Sequence, residues 1–332
     1  MKARIHLHND CCVLHCLGRF LRQWTLPVAM VTGTLIYLLF AYTPQLDKPG
    51  DALYPILNDI MPLCMFFILF ITFCKVNFHE MKPCWWHLRV CATQVIMVVV
   101  IVGYALLFSV SEDNKILLEC LLACVICPTA AAATVITVKL DGDLNSMTAY
   151  TLISNLIASV IIPLFLPLLE KEADITFIEA FCIILRKVFM ILVLPLLAAY
   201  IVRHYIHWLY NNIISVKDLA FYLWAASLAI VTGITVRNIV HASISLNLLL
   251  AIAVGSMGVC LWQFFFGKFL GRKYNSSINS GQALGQKNTV FAIWIASIYL
   301  NPLSTLGPGF YILWQNIVNG WQLWRMERRT KN

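Results

Sequence analysis

The feature that most constrains this sequence is a succession of apolar segments, each about 20 residues long. A segment of that length crosses the hydrocarbon core of a bilayer as an α-helix, whereas an open strand there cannot satisfy its backbone hydrogen bonds. Only 12% of the residues are charged, about half the share that a soluble domain carries. The sequence therefore predicts an all-α polytopic membrane protein with ten transmembrane helices. The predicted spans are 24–43, 54–74, 88–109, 116–138, 146–169, 185–203, 218–238, 246–268, 281–300 and 305–324.

Lysine and arginine predict the orientation of these spans. If the N-terminus lies in the cytoplasm, about three quarters of the 24 lysines and arginines fall on the cytoplasmic side, as the positive-inside rule requires. These residues lie in short loops, so the net charge of +8 indicates topology rather than a nucleic-acid partner. We therefore predict a cytoplasmic leader (1–23), a transmembrane domain (24–325) and a cytoplasmic tail (326–332), in the plasma (inner) membrane.

The 12 cysteines form neither a disulfide framework nor a zinc-ligand pattern. Most lie in apolar runs or on the predicted cytoplasmic side, which is reducing. Cys11, Cys12 and Cys16 lie near histidines; metal binding, palmitoylation and no special role all stay open for them. The sequence has no visible nucleophile–base pair or phosphate-binding loop. We therefore predict a protein that is not an enzyme and that binds no cofactor.

Two runs inside the predicted spans are unusual for lipid-facing helices. In span four, residues 127–137 read Cys-Pro-Thr-Ala-Ala-Ala-Ala-Thr-Val-Ile-Thr, where Pro128 removes a helix hydrogen bond. In span nine, residues 280–289 contain Gly281, Gly285, two glutamines, a lysine and an asparagine. Spans four and nine are the fourth members of two five-span halves. Interrupted helices at matching positions are typical of transporters built from inverted repeats.

Each run also has an ordinary interpretation. Pro128 can simply kink its helix, and residues 280–288 can form a cytoplasmic loop. For either run alone the two interpretations are comparable, and the coincidence of the runs favours the transporter. Span five adds Thr148, Thr151 and Asn155 on one helix face. Hydroxyls can bond to their own helix, but an asparagine cannot do so easily, which makes Asn155 the better site candidate.

At these runs the sequence resembles the bile acid:sodium symporter family, from about residue 24 to residue 324. That family carries a Cys/Ser-Pro motif on its fourth span, a Glu-x-Gly-x-Gln-Asn motif on its ninth and a late Tyr-x-x-x-Gln. The matching residues here are Cys127-Pro128, Val135-Ile136-Thr137, Gly142-Asp143, Thr151, Ser154, Pro163, residues 282–288, and Tyr311 with Gln315.

The resemblance implies two inverted five-helix repeats, with interrupted spans four and nine crossing. Spans 1, 2, 6 and 7 would form a panel, and spans 3–5 and 8–10 a core. A small organic anion would pass between panel and core, usually with sodium. The implied substrate-binding residues are Thr129, Ala131, Thr134, Asn155, Lys287 and Asn288. The implied ion-binding residues are Thr134, Thr151, Gln282 and Gln286. The implied crossover residues are Pro128, Gly281 and Gly285.

This sequence departs from the family where sodium would bind. The family's Ser, Asn and Glu are replaced by Ala133, Thr134 and Gln282. A sodium site needs oxygen ligands and usually a carboxylate that offsets the charge of the ion. Lys287 brings a fixed positive charge to the same neighbourhood.

Three roles stay open for Lys287: it replaces a sodium ion, pairs with an anionic substrate, or extends to the cytoplasmic surface. We therefore predict an alternating-access transporter of organic anions, with sodium coupling weakened or absent. The alternatives are an ordinary sodium symporter and a non-transporting receptor or scaffold.

Overall fold

The computed structural model describes residues 25–75, 81–169, 176–216, 219–241 and 244–331. Within these ranges every regular element is helical, and the one β-bridge is isolated. The predicted leader, with Cys11, Cys12 and Cys16, lies outside the described residues. The α-helices are α1 (Thr25–Ala41), α2 (Asp47–Cys74), α3 (Trp85–Leu107), α4 (Glu112–Ile126), α5 (Ala132–Lys139), α6 (Leu144–Leu169), α7 (Phe177–Leu192), α8 (Leu194–Tyr205), α9 (His207–Ser215), α10 (Leu219–His241), α11 (Leu246–Gly271), α12 (Ser277–Gly285), α13 (Thr289–Tyr299) and α14 (Leu306–Lys331).

Length and composition make several of these segments able to cross a membrane. Within the described part of the chain, five helical segments are long and apolar enough: Ala52–Cys74, Trp85–Leu107, Leu144–Leu169, Phe177–Tyr205 and Leu246–Tyr274. Shorter apolar helices cover Val28–Ala41, Tyr222–Arg237 and Thr289–Tyr299. Large apolar side chains such as Leu39, Val100 and Val254 are exposed on the outer surface. Such a surface requires lipid rather than water around it.

The helix boundaries follow local chemistry. Ser111, Thr176 and Ser245 each accept a hydrogen bond from a backbone N–H of the helix that follows, which caps α4, α7 and α11. The predicted sixth span divides into α7 and α8 at Val193, just before Pro195. The tenth predicted span continues as one helix to Lys331, so α14 extends through most of the predicted tail.

Helices α1 and α10 pack closely, which explains why residues 33 and 233 are both glycines. A Cβ atom built on Gly33 would overlap the backbone oxygen of Ala229, and one on Gly233 would lie 3.1 Å from the backbone oxygen of Gly33. Small residues at such a contact let two helix backbones approach directly. Both helices also pack on α2.

We expect Gly33→Ala to destabilise the protein and Gly103→Ala to leave it unchanged or slightly more stable. Overpacking of this kind costs about 1–3 kcal/mol, whereas a Cβ on Gly103 has no atom within 4 Å and alanine favours a helix by up to about 1 kcal/mol. Thermal unfolding of the two purified variants in detergent measures the difference. Equal midpoints would show that α1 and α10 are not in direct contact at Gly33.

Candidate functional site

The two helix breaks bind each other through their backbones. The first break separates α4 from α5 at residues 127–131, and the second separates α12 from α13 at residues 286–288. Ala130 N–H donates to Gln286 O (2.9 Å), and Asn288 N–H donates to Pro128 O (2.9 Å). Thr129 and Lys287 form an antiparallel bridge between these bonds. The breaks therefore satisfy much of each other's backbone at a single crossing point.

Proline explains the first break directly. Pro128 has no N–H and disfavours helical geometry in the residue before it. Cys127 accordingly has extended backbone angles (φ −70°, ψ 151°). The glycines of the second break act differently. A Cβ on Gly281 would lie 2.6 Å from Lys268 Cγ, and one on Gly285 would overlap the ring of Phe264. Gly281 and Gly285 therefore permit close contact between α12 and α11.

Thr129 links three parts of the site. Its hydroxyl donates to Ala283 O on α12 (2.6 Å), and its N–H donates to the hydroxyl oxygen of Ser154 on α6 (2.9 Å). Sequence reasoning assigned Thr129 to the substrate. In the structure it is buried and ties the first break to α6 and α12.

Lys287 is fully buried, and its side-chain nitrogen lies at the C-terminal end of α4. The side chain is 1% exposed, and Nζ donates to Cys127 O (3.2 Å). No ion pair between Lys287 and a carboxylate is found among the described residues. In this structure the Lys287 side chain therefore does not reach the protein surface. The hydrogen bond to Cys127 O places the Lys287 nitrogen at the end of α4, where unpaired carbonyl groups carry partial negative charge.

Gln94 on α3, which the sequence analysis did not single out, binds the same helix end. Its Nε2 donates to Ile126 O (3.1 Å) and to Cys127 O (3.0 Å). Cys127 O therefore accepts from both an amide and an ammonium group. The backbone N–H of Lys287 donates to Gln315 Oε1 on α14 (3.1 Å). Gln94 is the only amide side chain among residues 88–109, the predicted third span, and this was the available signal for it.

The four predicted ion-binding residues fall into two separate pairs. Gln282 Nε2 donates to Asn319 Oδ1 (3.0 Å), and Asn319 Nδ2 donates to Gln286 Oε1 (2.9 Å), so both glutamines turn toward α14. The hydroxyl of Thr134 donates to Ala131 O, and that of Thr151 to Met147 O. Among the described residues no hydrogen bond joins the threonine pair to the glutamine pair.

The exposed part of the crossing is small. Ala131, Ala132 and Asn288 are partly exposed, whereas Thr129, Ala130 and Lys287 are buried. Ala132 and Asn288 mark the N-terminal ends of α5 and α13, where helix dipoles favour an anion. Asn288 also caps α13, because its Oδ1 accepts from Phe291 N–H (3.2 Å).

Asn155 is a buried amide without a partner in the described structure. It is 2% exposed, and neither Oδ1 nor Nδ2 forms a hydrogen bond there. The neighbouring Ser154 contacts Thr129 in the first break. Buried amides are normally satisfied, so Asn155 has capacity for a polar ligand or a water molecule.

Two further contacts brace the crossing. The hydroxyl of Tyr311 donates to Gly285 O (2.7 Å) and accepts from Gln263 Nε2 (3.0 Å), which fixes the C-terminal end of α12. The carboxylate of Glu119 on α4 accepts from Asn301 N–H (3.0 Å) and from the hydroxyl of Ser304 (2.6 Å), between α13 and α14. The sequence analysis overlooked Glu119, although a carboxylate inside span four was a signal. No cluster of metal-ligating side chains occurs in the described ranges.

Comparison with known families agrees with this arrangement. The model of the sodium bile acid symporter family matches residues 62–242, more than half of the chain. The chain belongs to this family. Its members are transporters rather than enzymes, and with the apolar helices this makes the chain an integral membrane protein. A comparison with curated proteins gave no significant match. The match includes the first break and ends before the second. The contacts of residues 286–288 are therefore known from the structure and not from the family match.

Proposed function

We propose that this protein transports organic anions by alternating access, and that Lys287 supplies the positive charge that sodium supplies in other family members. The observation that carries this proposal is the hydrogen bond from Lys287 Nζ to Cys127 O, in a fully buried position. The termini are proposed to lie in the cytoplasm, and the protein in the plasma (inner) membrane. The charge distribution of the sequence supports this orientation.

The helix order supports a ten-span inverted repeat. Helices α1, α2, α3, α4–α5 and α6 would form the first five spans, and α7–α8, α10, α11, α12–α13 and α14 the second five. The fourth member of each half is interrupted over several residues, whereas α7 and α8 are separated only at Val193. Inverted-repeat transporters place their binding sites at such paired interruptions.

Packing supports a division into panel and core. Helices α1 and α10 pack on each other and on α2, and α8 also packs on α2. In the proposed core, α11 packs on α4, α12 and α14. Helix α6 also packs along α7, which would make this contact part of the surface between the two bodies. Alternating access would move these bodies relative to each other around the crossing.

The position of Lys287 favours the role of a fixed cation over direct pairing with a substrate. Its ammonium group bonds to the carbonyl end of α4, and the side chain is closed off from solvent. A bound cation would neutralise the same partial negative charge. The partly exposed ends of α5 and α13, at Ala132 and Asn288, would then bind the anionic group of the substrate.

Uptake into proteoliposomes tests this function. With a panel of labelled bile acids and short hydroxy and oxo acids, we expect at least one anion to accumulate at similar rates in sodium, potassium and choline. A steep requirement for sodium would favour the ordinary symporter. Specific binding without uptake would favour the receptor or scaffold.

A further inference from the structure

Positive charge accumulates where α11 and α14 end side by side. These helices pack in the same direction, because Leu248 lies with Leu306 and Phe264 lies with Val318. Lys268 on α11 and Gln322 on α14 each lie about one helical turn after Phe264 and Val318, so Lys268 lies level with the turn of α14 that carries Gln322 and Arg325. Lys268 is partly buried, with its aliphatic stem against Gly281. Lys268 therefore has limited freedom to move away from Arg325.

A buried hydrogen-bond donor without an acceptor lies on the same helix face. Gln322 is 6% exposed, and its Nε2 has no hydrogen-bond partner among the described residues. It precedes Arg325 by three residues on α14, so the two side chains point in similar directions. An unsatisfied buried donor is unfavourable unless a ligand or water molecule accepts from it. Gln322 is thus an independent sign that an acceptor belongs here.

No acidic side chain of the described structure neutralises this group. Lys268 and Arg325 form no ion pair with a described carboxylate. Among the described side chains, two cations and an amide donor without an acceptor therefore lie close together with no anion between them.

We propose that this group, Lys268, Gln322 and Arg325, binds the phosphate of an anionic phospholipid. The surrounding surface favours a lipid over a soluble anion, because large apolar side chains flank the group on both helices. The exposed ones are Phe265, Phe269, Trp321 and Trp324. Aromatic side chains of this kind are enriched at the level of the headgroups, and basic residues just beyond a span attract anionic lipids.

The site lies next to the helix that carries the second break. Lys268 contacts Gly281 on α12, and Gly281 is four residues before Gly285, where α12 ends. A lipid phosphate held by Lys268 would therefore stabilise the packing of α12 on α11. The proposal concerns binding and stability, so its test is independent of the transported substrate.

Lipid-dependent thermal stability tests the proposal. Purified full-length protein is titrated with phosphatidylglycerol, with phosphatidylcholine or with inorganic phosphate in the same detergent. We expect phosphatidylglycerol alone to raise the unfolding midpoint. Lys268→Gln and Arg325→Gln should each weaken that response about fivefold in lipid concentration, because each basic residue contributes roughly 1 kcal/mol to anionic-lipid binding.

Two more variants complete the design. Gln322→Glu should raise the midpoint in phosphatidylcholine and abolish the response to phosphatidylglycerol, because a carboxylate would replace the phosphate between the cations. Lys82→Gln, at an exposed lysine in another loop, should keep the full response. Equal responses to the two lipids, or a full response in both Lys268→Gln and Arg325→Gln, would overturn the proposal. An equal response to inorganic phosphate would overturn the assignment to a lipid.

Discussion

Lys287→Gln is expected to give the protein a sodium dependence that, under the proposed function, the natural protein does not have. In the natural protein, a sodium ion at the end of α4 would lie beside the ammonium group that already bonds to Cys127 O. At about 5 Å and an effective dielectric constant of 20, the repulsion is roughly 3 kcal/mol, more than a hundredfold in affinity. Glutamine removes this charge and adds an oxygen ligand. It also leaves the carbonyl group of Cys127 without its cation.

The measurement compares anion uptake in sodium, potassium and choline for the natural protein and the variant. We expect similar rates in all three for the natural protein. For Lys287→Gln we expect a loss of at least about tenfold in potassium and choline, since a buried charged hydrogen bond contributes about 1.5–3 kcal/mol. Sodium should restore part of that loss. Thermal unfolding with added sodium should show the same pattern without any substrate.

The matched control is Lys139→Gln. Lys139 ends α5, the helix after the first break, but its side chain is exposed. Its removal should leave uptake equal in the three salts. A steep sodium dependence of the natural protein would contradict the proposed role of Lys287. So would a variant that loses uptake equally in all three salts.

The breaks could be predicted from the sequence because their causes are local. Pro128 removes a helix hydrogen bond and disfavours helical geometry in the residue before it, and the polar residues from 280 onward are unsuited to a lipid-facing helix. The pairing of the breaks was expected from their matching positions in the two halves and from the family resemblance. The antiparallel bridge between Thr129 and Lys287 gives that expectation a specific register.

The grouping of side chains at the site could not be predicted in the same way. Helix α12 has only nine residues, and a small rotation decides which neighbour each side chain meets. Gln282 donates to Asn319 on α14, and neither of the threonines that the family resemblance groups with it forms a hydrogen bond to it in the described structure. Gly281 and Gly285 were assigned to the interruption, but they provide room for side chains of α11. Such assignments depend on contacts between residues far apart in the chain.

Glu119→Ala is expected to be one of the most destabilising substitutions in the core. The carboxylate is 1% exposed and accepts hydrogen bonds from Asn301 N–H and the Ser304 hydroxyl. These bonds tie α4, which leads into the first break, to the turn between α13 and α14. Alanine would leave two donors unsatisfied in a buried place. Hydrogen bonds to charged groups contribute about 1.5–3 kcal/mol each, so we expect a loss of roughly 3 kcal/mol or more in the free energy of unfolding.

Two variants separate the role of this carboxylate from a general effect of losing acidic charge. Glu112→Ala removes an exposed glutamate from the first turn of the same helix. It should cost only about 0.3–1 kcal/mol, the usual contribution of a charge at a helix end. Glu119→Gln keeps an acceptor oxygen and should recover part of the loss seen with alanine. Chemical denaturation of the purified variants gives the comparison. If Glu119→Ala unfolds at the same denaturant concentration as Glu112→Ala, the turn after α13 is held to α4 by other contacts. The two halves of the crossing would then not depend on this carboxylate.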